Sequence, residues 1–178
     1  MKTIGDVGIV AACLLPLFLL LAAFYWMHPE AEAQDYLRKG RAAAEAEQYD
    51  EAIRQYTLAI KSGRLPQTDL AKAYYWRGSA HTKKGDLDEG VADCTRAIEL
   101  APKDPEAYYY RGDAYKTKGD LDKALADYTK VIELAPLDPA PYYGRGDVYK
   151  MKGDVDRASA DYTKAGGLVE SWRSGSCP

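Results

Sequence analysis

One internal repeat constrains this chain more than any other feature of its sequence. The run Ala71-Lys72-Ala73-Tyr74-Tyr75-Trp76-Arg77-Gly78 returns as Pro105-Glu106-Ala107-Tyr108-Tyr109-Tyr110-Arg111-Gly112. It returns again as Pro139-Ala140-Pro141-Tyr142-Tyr143-Gly144-Arg145-Gly146, and both Gly-to-Gly steps are 34 residues. A chain with this period builds one supersecondary unit several times, and each unit buries its apolar face only by stacking on its neighbour. A weaker first copy puts Tyr36 and Gly40 in the same slots, 38 residues ahead of Gly78. The four additional residues fall in 62–70, a Gly- and Pro-containing stretch that reads as a longer loop.

Each period reads as helix, turn, helix. Tyr at slot 4, Gly at slot 8 and Tyr or His at slot 11 share one helical face. Gly85, Gly119 and Gly153 are placed to end the first helix in a left-handed conformation. Asp86, Asp120 and Asp154 follow as expected N-caps of the second helix, with Asp88, Asp122 and Asp156 in its first turn. Pro102 and Pro136 close that second helix. No part of the body alternates as a strand would, so the expected fold class is all-α.

On these residues the chain resembles the tetratricopeptide repeat family, over about 135 of its 178 residues. Slot 4 holds Tyr74, Tyr108 and Tyr142; slot 8 holds Gly78, Gly112 and Gly146; slot 20 holds Gly90, Ala124 and Ala158; slot 24 holds Cys94, Tyr128 and Tyr162. The first copy keeps Gly40, Ala52, Tyr56 and Ala59 but has Glu47-Gln48 where the others have Gly-Asp. The resemblance implies a right-handed superhelical solenoid of four helix-turn-helix repeats: a degenerate first at 33–66, then 71–104, 105–138 and an incomplete fourth at 139–167. A tail at 168–178 follows. Gly166-Gly167 should break the last helix. Leu168, Val169 and Trp172 would then fold back as a makeshift cap, or another subunit would cover that face and make a homo-oligomer.

Two slots depart from the family pattern together. Slot 7, usually apolar, is Arg77, Arg111 and Arg145, and slot 23 is Asp93, Asp127 and Asp161; in the first copy both change, to Lys39 and Gln55. This covariation predicts a structural Arg–Asp bridge between the two helices of each repeat, with bidentate geometry available to Arg.

The resemblance also implies where a partner would bind. The family's concave groove is lined from slots 2, 5, 9, 12 and 13 of the first helices. Carried onto this chain, slot 2 gives Lys72, Glu106 and Ala140; slot 5 gives Tyr75, Tyr109 and Tyr143; slot 9 gives Ser79, Asp113 and Asp147; and slot 12 gives Thr82, Lys116 and Lys150. The first copy adds Leu37 and Arg41. The slot 5 tyrosines form either an aromatic row for a peptide or a packing layer between neighbouring first helices. The family's binders of chaperone tails clamp a terminal carboxylate with Lys and Asn. The clamp slots here hold Leu37, Arg41, Trp76, Glu106 and Tyr110, which argues against that kind of clamp.

Ahead of the repeats the chemistry changes. Residues 9–27 are 19 consecutive uncharged residues, about 28 Å as a helix against a hydrocarbon core of about 30 Å. Tyr25 and Trp26 stand at the far end, where aromatic rings favour the headgroup boundary. The expected arrangement is a short cytoplasmic start at 1–8, a membrane anchor at 9–27 and a linker at 28–32. The repeats would then stand outside the cytoplasm, in a bacterial periplasm. The alternative is a removed signal, with Ala31-Glu32-Ala33 as the cleavage site and a soluble periplasmic or secreted product.

Composition and motif content narrow the function. Lys and Arg number 24 against 27 Asp and Glu, so the chain lacks the basic excess that drives nucleic-acid binding. Two His and three Cys do not supply a zinc-ribbon or haem framework. There is no phosphate loop after a strand, no G-x-S-x-G elbow and no H-E-x-x-H helix. The sequence therefore predicts a non-catalytic protein-interaction module, without metal or cofactor, that binds a protein or peptide. An alternative is a regulatory or substrate-presenting subunit of an envelope enzyme.

Overall fold

The structure, a computed structural model, describes residues 29–175. They form eight helices: α1 Pro29–Glu45, α2 Tyr49–Lys61, α3 Gln67–Lys84, α4 Leu87–Leu100, α5 Pro105–Lys118, α6 Leu121–Leu134, α7 Ala140–Met151 and α8 Val155–Ser174. Each helix packs on the next in chain order, and the odd-numbered first helices also touch their counterparts one repeat away. That is a stack of four antiparallel hairpins. The segment 9–27 lies outside the described residues. Among the described residues no helix is long and apolar enough to cross a membrane.

The small slots make this stacking possible. A Cβ on Gly40 would lie 2.5 Å from the Tyr56 ring, and one on Gly146 would lie 2.7 Å from the Tyr162 ring. Tyr56, Tyr128 and Tyr162 of the second helices thus fill the space left bare by glycine on the first, and in the second repeat Cys94 takes that place against Gly78. Ala52, Ala59, Ala73, Ala97, Ala107, Ala124 and Ala165 are fully buried between them.

The turns follow the sequence in part. Gly85 and Gly119 take φ 103° and 89°, a region where glycine has no Cβ to clash. Of the three expected aspartate N-caps only Asp154 makes the bond, accepting from the Arg157 backbone N–H at 3.0 Å. The Asp86 carboxylate lies 3.3 Å from His81 Nδ1 and 3.3 Å from Lys84 Nζ instead, and these partners hold its pKa below the usual carboxylate value. Asp120 accepts from Lys123. Side-chain cations here outcompete the backbone donors. Asp88 and Asp122 also reach further than a helix dipole, pairing with Lys118 and Lys152 of the following repeat.

In the first repeat Glu47 stands in the glycine slot, yet the chain still turns through φ 57° there. A side chain in that region costs about 1–2 kcal/mol. Glu47→Gly should therefore raise the stability of the first repeat by about 1 kcal/mol, seen as slower hydrogen exchange in α1 and α2. Unchanged exchange would mean that the turn carries no strain.

The C-terminal end corrects the sequence reading. Gly166-Gly167 do not break the last helix; α8 runs through them to Ser174. Two helical glycines cost about 1 kcal/mol each relative to Ala. Continuation buries Leu168 with Tyr142 and Ala165, which outweighs that cost. The cap is thus an extension of the helix and not a fold-back, and Trp172 stays half-exposed. At the other end α1 begins at Pro29, inside the span expected to be linker.

Candidate binding groove

A ladder of arginines holds the first helices in place. Arg77 donates from Nε to Asp93 Oδ2 and from Nη2 to Asp93 Oδ1, both at 2.7 Å. Arg111 grips Asp127, and Arg145 grips Asp161, in the same two-pronged way at 2.8 Å. The third nitrogen, Nη1, reaches back to the previous repeat: Arg77 to Thr57 at 3.0 Å, Arg111 to Thr95 at 3.3 Å and Arg145 to Thr129 at 3.2 Å. Each guanidinium also lies 5.5–5.9 Å from the ring of Tyr74, Tyr108 or Tyr142. One side chain therefore ties three helices together, and the carboxylates raise the pKa of all three arginines. In the first repeat Lys39 turns to Asp35 at 2.7 Å, leaving the buried Gln55 Oε1 without a hydrogen-bond partner.

Held this way, α1, α3 and α5 line three adjoining clefts. The first, about 390 Å³, includes Leu37, Arg41, Lys72 and Trp76. The second, about 560 Å³, includes Arg41, Tyr75, Trp76, Ser79, Glu106 and Tyr110. The third, about 400 Å³, includes Ser79, Thr82, Tyr109, Tyr110, Asp113 and Lys116. Ten of the residues assigned to the groove from sequence thus share one continuous surface. Tyr143, Asp147 and Lys150 line none of these clefts. Asp147 instead accepts from the Tyr162 hydroxyl at 2.8 Å, and Tyr143 packs 6.4 Å from the Tyr162 ring.

The slot 5 tyrosines divide between the two expected roles, packing at Tyr75 and exposure at Tyr143. Tyr75 is only 5% exposed, because α5 lays Ala107 and Tyr110 over it; the Tyr110 ring stacks at 5.4 Å and 16°. Leu37, also 5% exposed, belongs to the core with Tyr56 and Ala73. Both are floor of the groove, not free anchors. Tyr109 is half-buried, and burial, followed by Asp113, pushes its pKa up to about 12. The rings that face the clefts sit one slot later, at Trp76 and Tyr110. The signal was present as two bulky aromatics at slot 6 of adjacent copies, where the other copies have Arg38 and Gly144.

The groove's charges are largely paired within the chain. Lys72 bonds Asp69 at 3.0 Å, and Lys116 lies 3.2 Å from Asp113, which also accepts from the Tyr128 hydroxyl at 2.6 Å. Arg41 spans the boundary of the first two clefts, 5.7 Å from the centre of the Trp76 ring and 3.6 Å from Glu45. Cys94 is buried beneath, and desolvation pushes its thiol pKa up, so it packs as a small apolar group. Among the described residues no group of three His, Cys, Asp or Glu is placed to hold a metal. What the surface offers is shape, aromatic area and a few charges, which suits binding.

Comparison with known proteins agrees with this architecture. Family models described as tetratricopeptide repeat match residues 37–105 and 94–126, and one described as TPR repeat matches 112–153. The peptidyl-prolyl cis-trans isomerase CYP7 of Saccharomyces cerevisiae is 38% identical over 69 residues, covering 39% of this chain and 18% of that protein. Hsp70-Hsp90 organizing protein 1 of Glycine max is 38% identical over 82 residues, covering 41% and 14%. The chain thus spans less than a fifth of the length of these curated relatives. Among solved structures, MamA superimposes with TM-score 0.69 at 25% identity over 98% of this chain and 99% of that one. The second TPR domain of human RPAP3, in complex with an HSP70 peptide, does so with TM-score 0.60 at 26% identity over 67% and 97%.

Proposed function

We propose that this chain, which belongs to the tetratricopeptide repeat family, is a membrane-anchored adaptor that binds a partner protein through a peptide laid along α1, α3 and α5. Repeats of this family mediate protein–protein interaction, and the fold is typically a non-catalytic scaffold. The isomerase relative matches over a limited stretch of its own length, so its activity is not carried over. The observation that supports the groove is the continuity of the three clefts across three repeats, with Trp76 and Tyr110 walling the middle one. The anchor is the uncharged run 9–27, with the repeats outside the cytoplasm in a bacterial periplasm.

Photo-crosslinking in intact membranes tests the reading. A crosslinking residue at Ser79, which lines two clefts, should capture a defined partner, whereas one at Lys130 on the second-helix side should not. Tyr110→Leu keeps an apolar side chain but removes the ring and hydroxyl. It should weaken capture at least about tenfold, as loss of an aromatic anchor does, while the chain still melts in one transition, lowered only by the lost stack on Tyr75. Capture from Lys130 alone would move the interaction off the groove. For the anchor, the chain should resist alkaline extraction from membranes and be released when 9–27 is deleted.

A further inference from the structure

We infer that the middle cleft takes a cationic side chain of the bound peptide, arginine foremost, against Trp76 and Tyr110 and towards Glu106; this rests on the groove reading above. Three observations converge on it. The first is the wall itself. Tyr75 and Tyr110 are stacked, but Trp76 meets Tyr75 edge-on at 79° and Tyr56 at a tilt of 32° with centroids 6.1 Å apart, so its ring face is not covered by a parallel neighbour. An indole face carries negative quadrupole and attracts a guanidinium more strongly than a neutral group.

The second observation is that the chain already satisfies this preference. Arg41 lies 5.7 Å from the Trp76 ring centre, steadied by Glu45 at 3.6 Å. Both partners of that pair are largely exposed, and an exposed pair at such a separation holds weakly. Arg41 is therefore a displaceable occupant that shows the geometry a ligand arginine would adopt.

The third observation is Glu106, which lines the same cleft. Among the described residues no ion pair reaches its carboxylate, and the charged groups that act on it, Asp104 and Asp138, are both acids. Desolvation and these neighbours raise its pKa, so an arriving cation gains there what the chain itself does not provide. Lys83 and Arg41 also line the cleft, against Glu45 and Glu106, so an acidic ligand would find cations there too. Such a ligand would still meet Glu106 and the negative ring faces. With two cations balancing two carboxylates, it is the Trp76 face and Glu106, beside acids and reached by no ion pair among the described residues, that set the preference for a cation.

Titration of the full-length chain in detergent micelles with three heptapeptides, Gly-Ser-Gly-X-Gly-Ser-Gly, tests this, with X as arginine, its neutral isostere citrulline, or glutamate. The readout is the indole N–H resonance of Trp76, assigned by its loss in Trp76→Phe. The arginine peptide should move the signal saturably, and the citrulline peptide should bind at least fivefold more weakly. Glu106→Gln should weaken the arginine peptide at least fivefold, and Arg41→Ala, which vacates the ring, should strengthen it about twofold or more. Equal binding of arginine and citrulline, or indifference to Glu106→Gln, overturns the inference. Tighter binding of the glutamate peptide would overturn the charge but leave the groove standing as a peptide site. If no peptide moves the signal, this cleft is not the site, and the crosslink at Ser79 judges the groove separately.

Discussion

Asp127→Ala is expected to cost the fold about 3 kcal/mol, far more than loss of an ordinary surface ion pair. Asp127 is buried, and its two oxygens each accept from Arg111 at 2.8 Å. Without it the guanidinium keeps only the Thr95 hydroxyl at 3.3 Å and the faces of Tyr108 and Tyr115. A half-buried cation so deprived pays its desolvation with little return. Removing both charges, as Arg111→Met with Asp127→Leu, should cost less than Asp127→Ala alone, since the carbon stem still fills the site and no orphan charge remains. Urea denaturation of the three proteins measures this, and a double variant worse than the single would show that the pair contributes more than the avoidance of an unpaired charge. Location adds a second expectation. Arg111 joins the third repeat to Thr95 of the second, and repeats stabilise one another only through their shared faces. Asp127→Ala should therefore let α5 to α8 exchange amide hydrogens ahead of α1 to α4.

This ladder also shows how far the sequence could be read. The Arg–Asp pair was visible because two slots sixteen residues apart change together, to Lys39 and Gln55 in the first copy. The third member was equally periodic, as Thr57, Thr95, Thr129 and Thr163, but threonine on an exposed helix face has no single meaning. Its role appears only when the previous repeat is placed beside the arginine. Eight helices and their glycine turns were legible for the same reason: they depend on residues near in sequence. The groove was legible as a surface but not in its details. Whether a slot 5 tyrosine is anchor or floor depends on which residue the next repeat sets upon it. Tyr110 covers Tyr75, whereas Tyr143, with no such ring over it, is 44% exposed. Gly166 and Gly167 misled because glycine propensity is a local preference, while the burial of Leu168 that overrides it is tertiary.

Gly144→Tyr is expected to destabilise the fold strongly, and Tyr128→Cys to rescue part of the damage. The reason is an exchange of volume between slot 24 of one repeat and slot 6 of the next. At the second junction the pair is small and large, Cys94 with Tyr110; at the third it is large and small, Tyr128 with Gly144. A Cβ on Gly144 would sit 2.7 Å from both Cε1 and Cζ of Tyr128, too close for any real carbon. Tyr128 cannot move aside freely, because it is fully buried and its hydroxyl donates to Asp113 at 2.6 Å. A whole phenol at 144 should thus cost about 3 kcal/mol or more through overpacking. Tyr128→Cys alone should cost about 3 kcal/mol by leaving a cavity. Together the two changes rebuild the second junction at the third, with the new ring stacking on Tyr109 as Tyr110 stacks on Tyr75. The double variant should then be more stable than the sum of the singles by at least about 1 kcal/mol, since side chains in direct contact couple by about 0.5–3 kcal/mol. Additivity within about 0.5 kcal/mol would mean that each junction relaxes independently of its facing slot. At the first junction Tyr56 and Trp76 are both large, and only there is the connection between repeats four residues longer, so the exchange belongs to the two inner junctions.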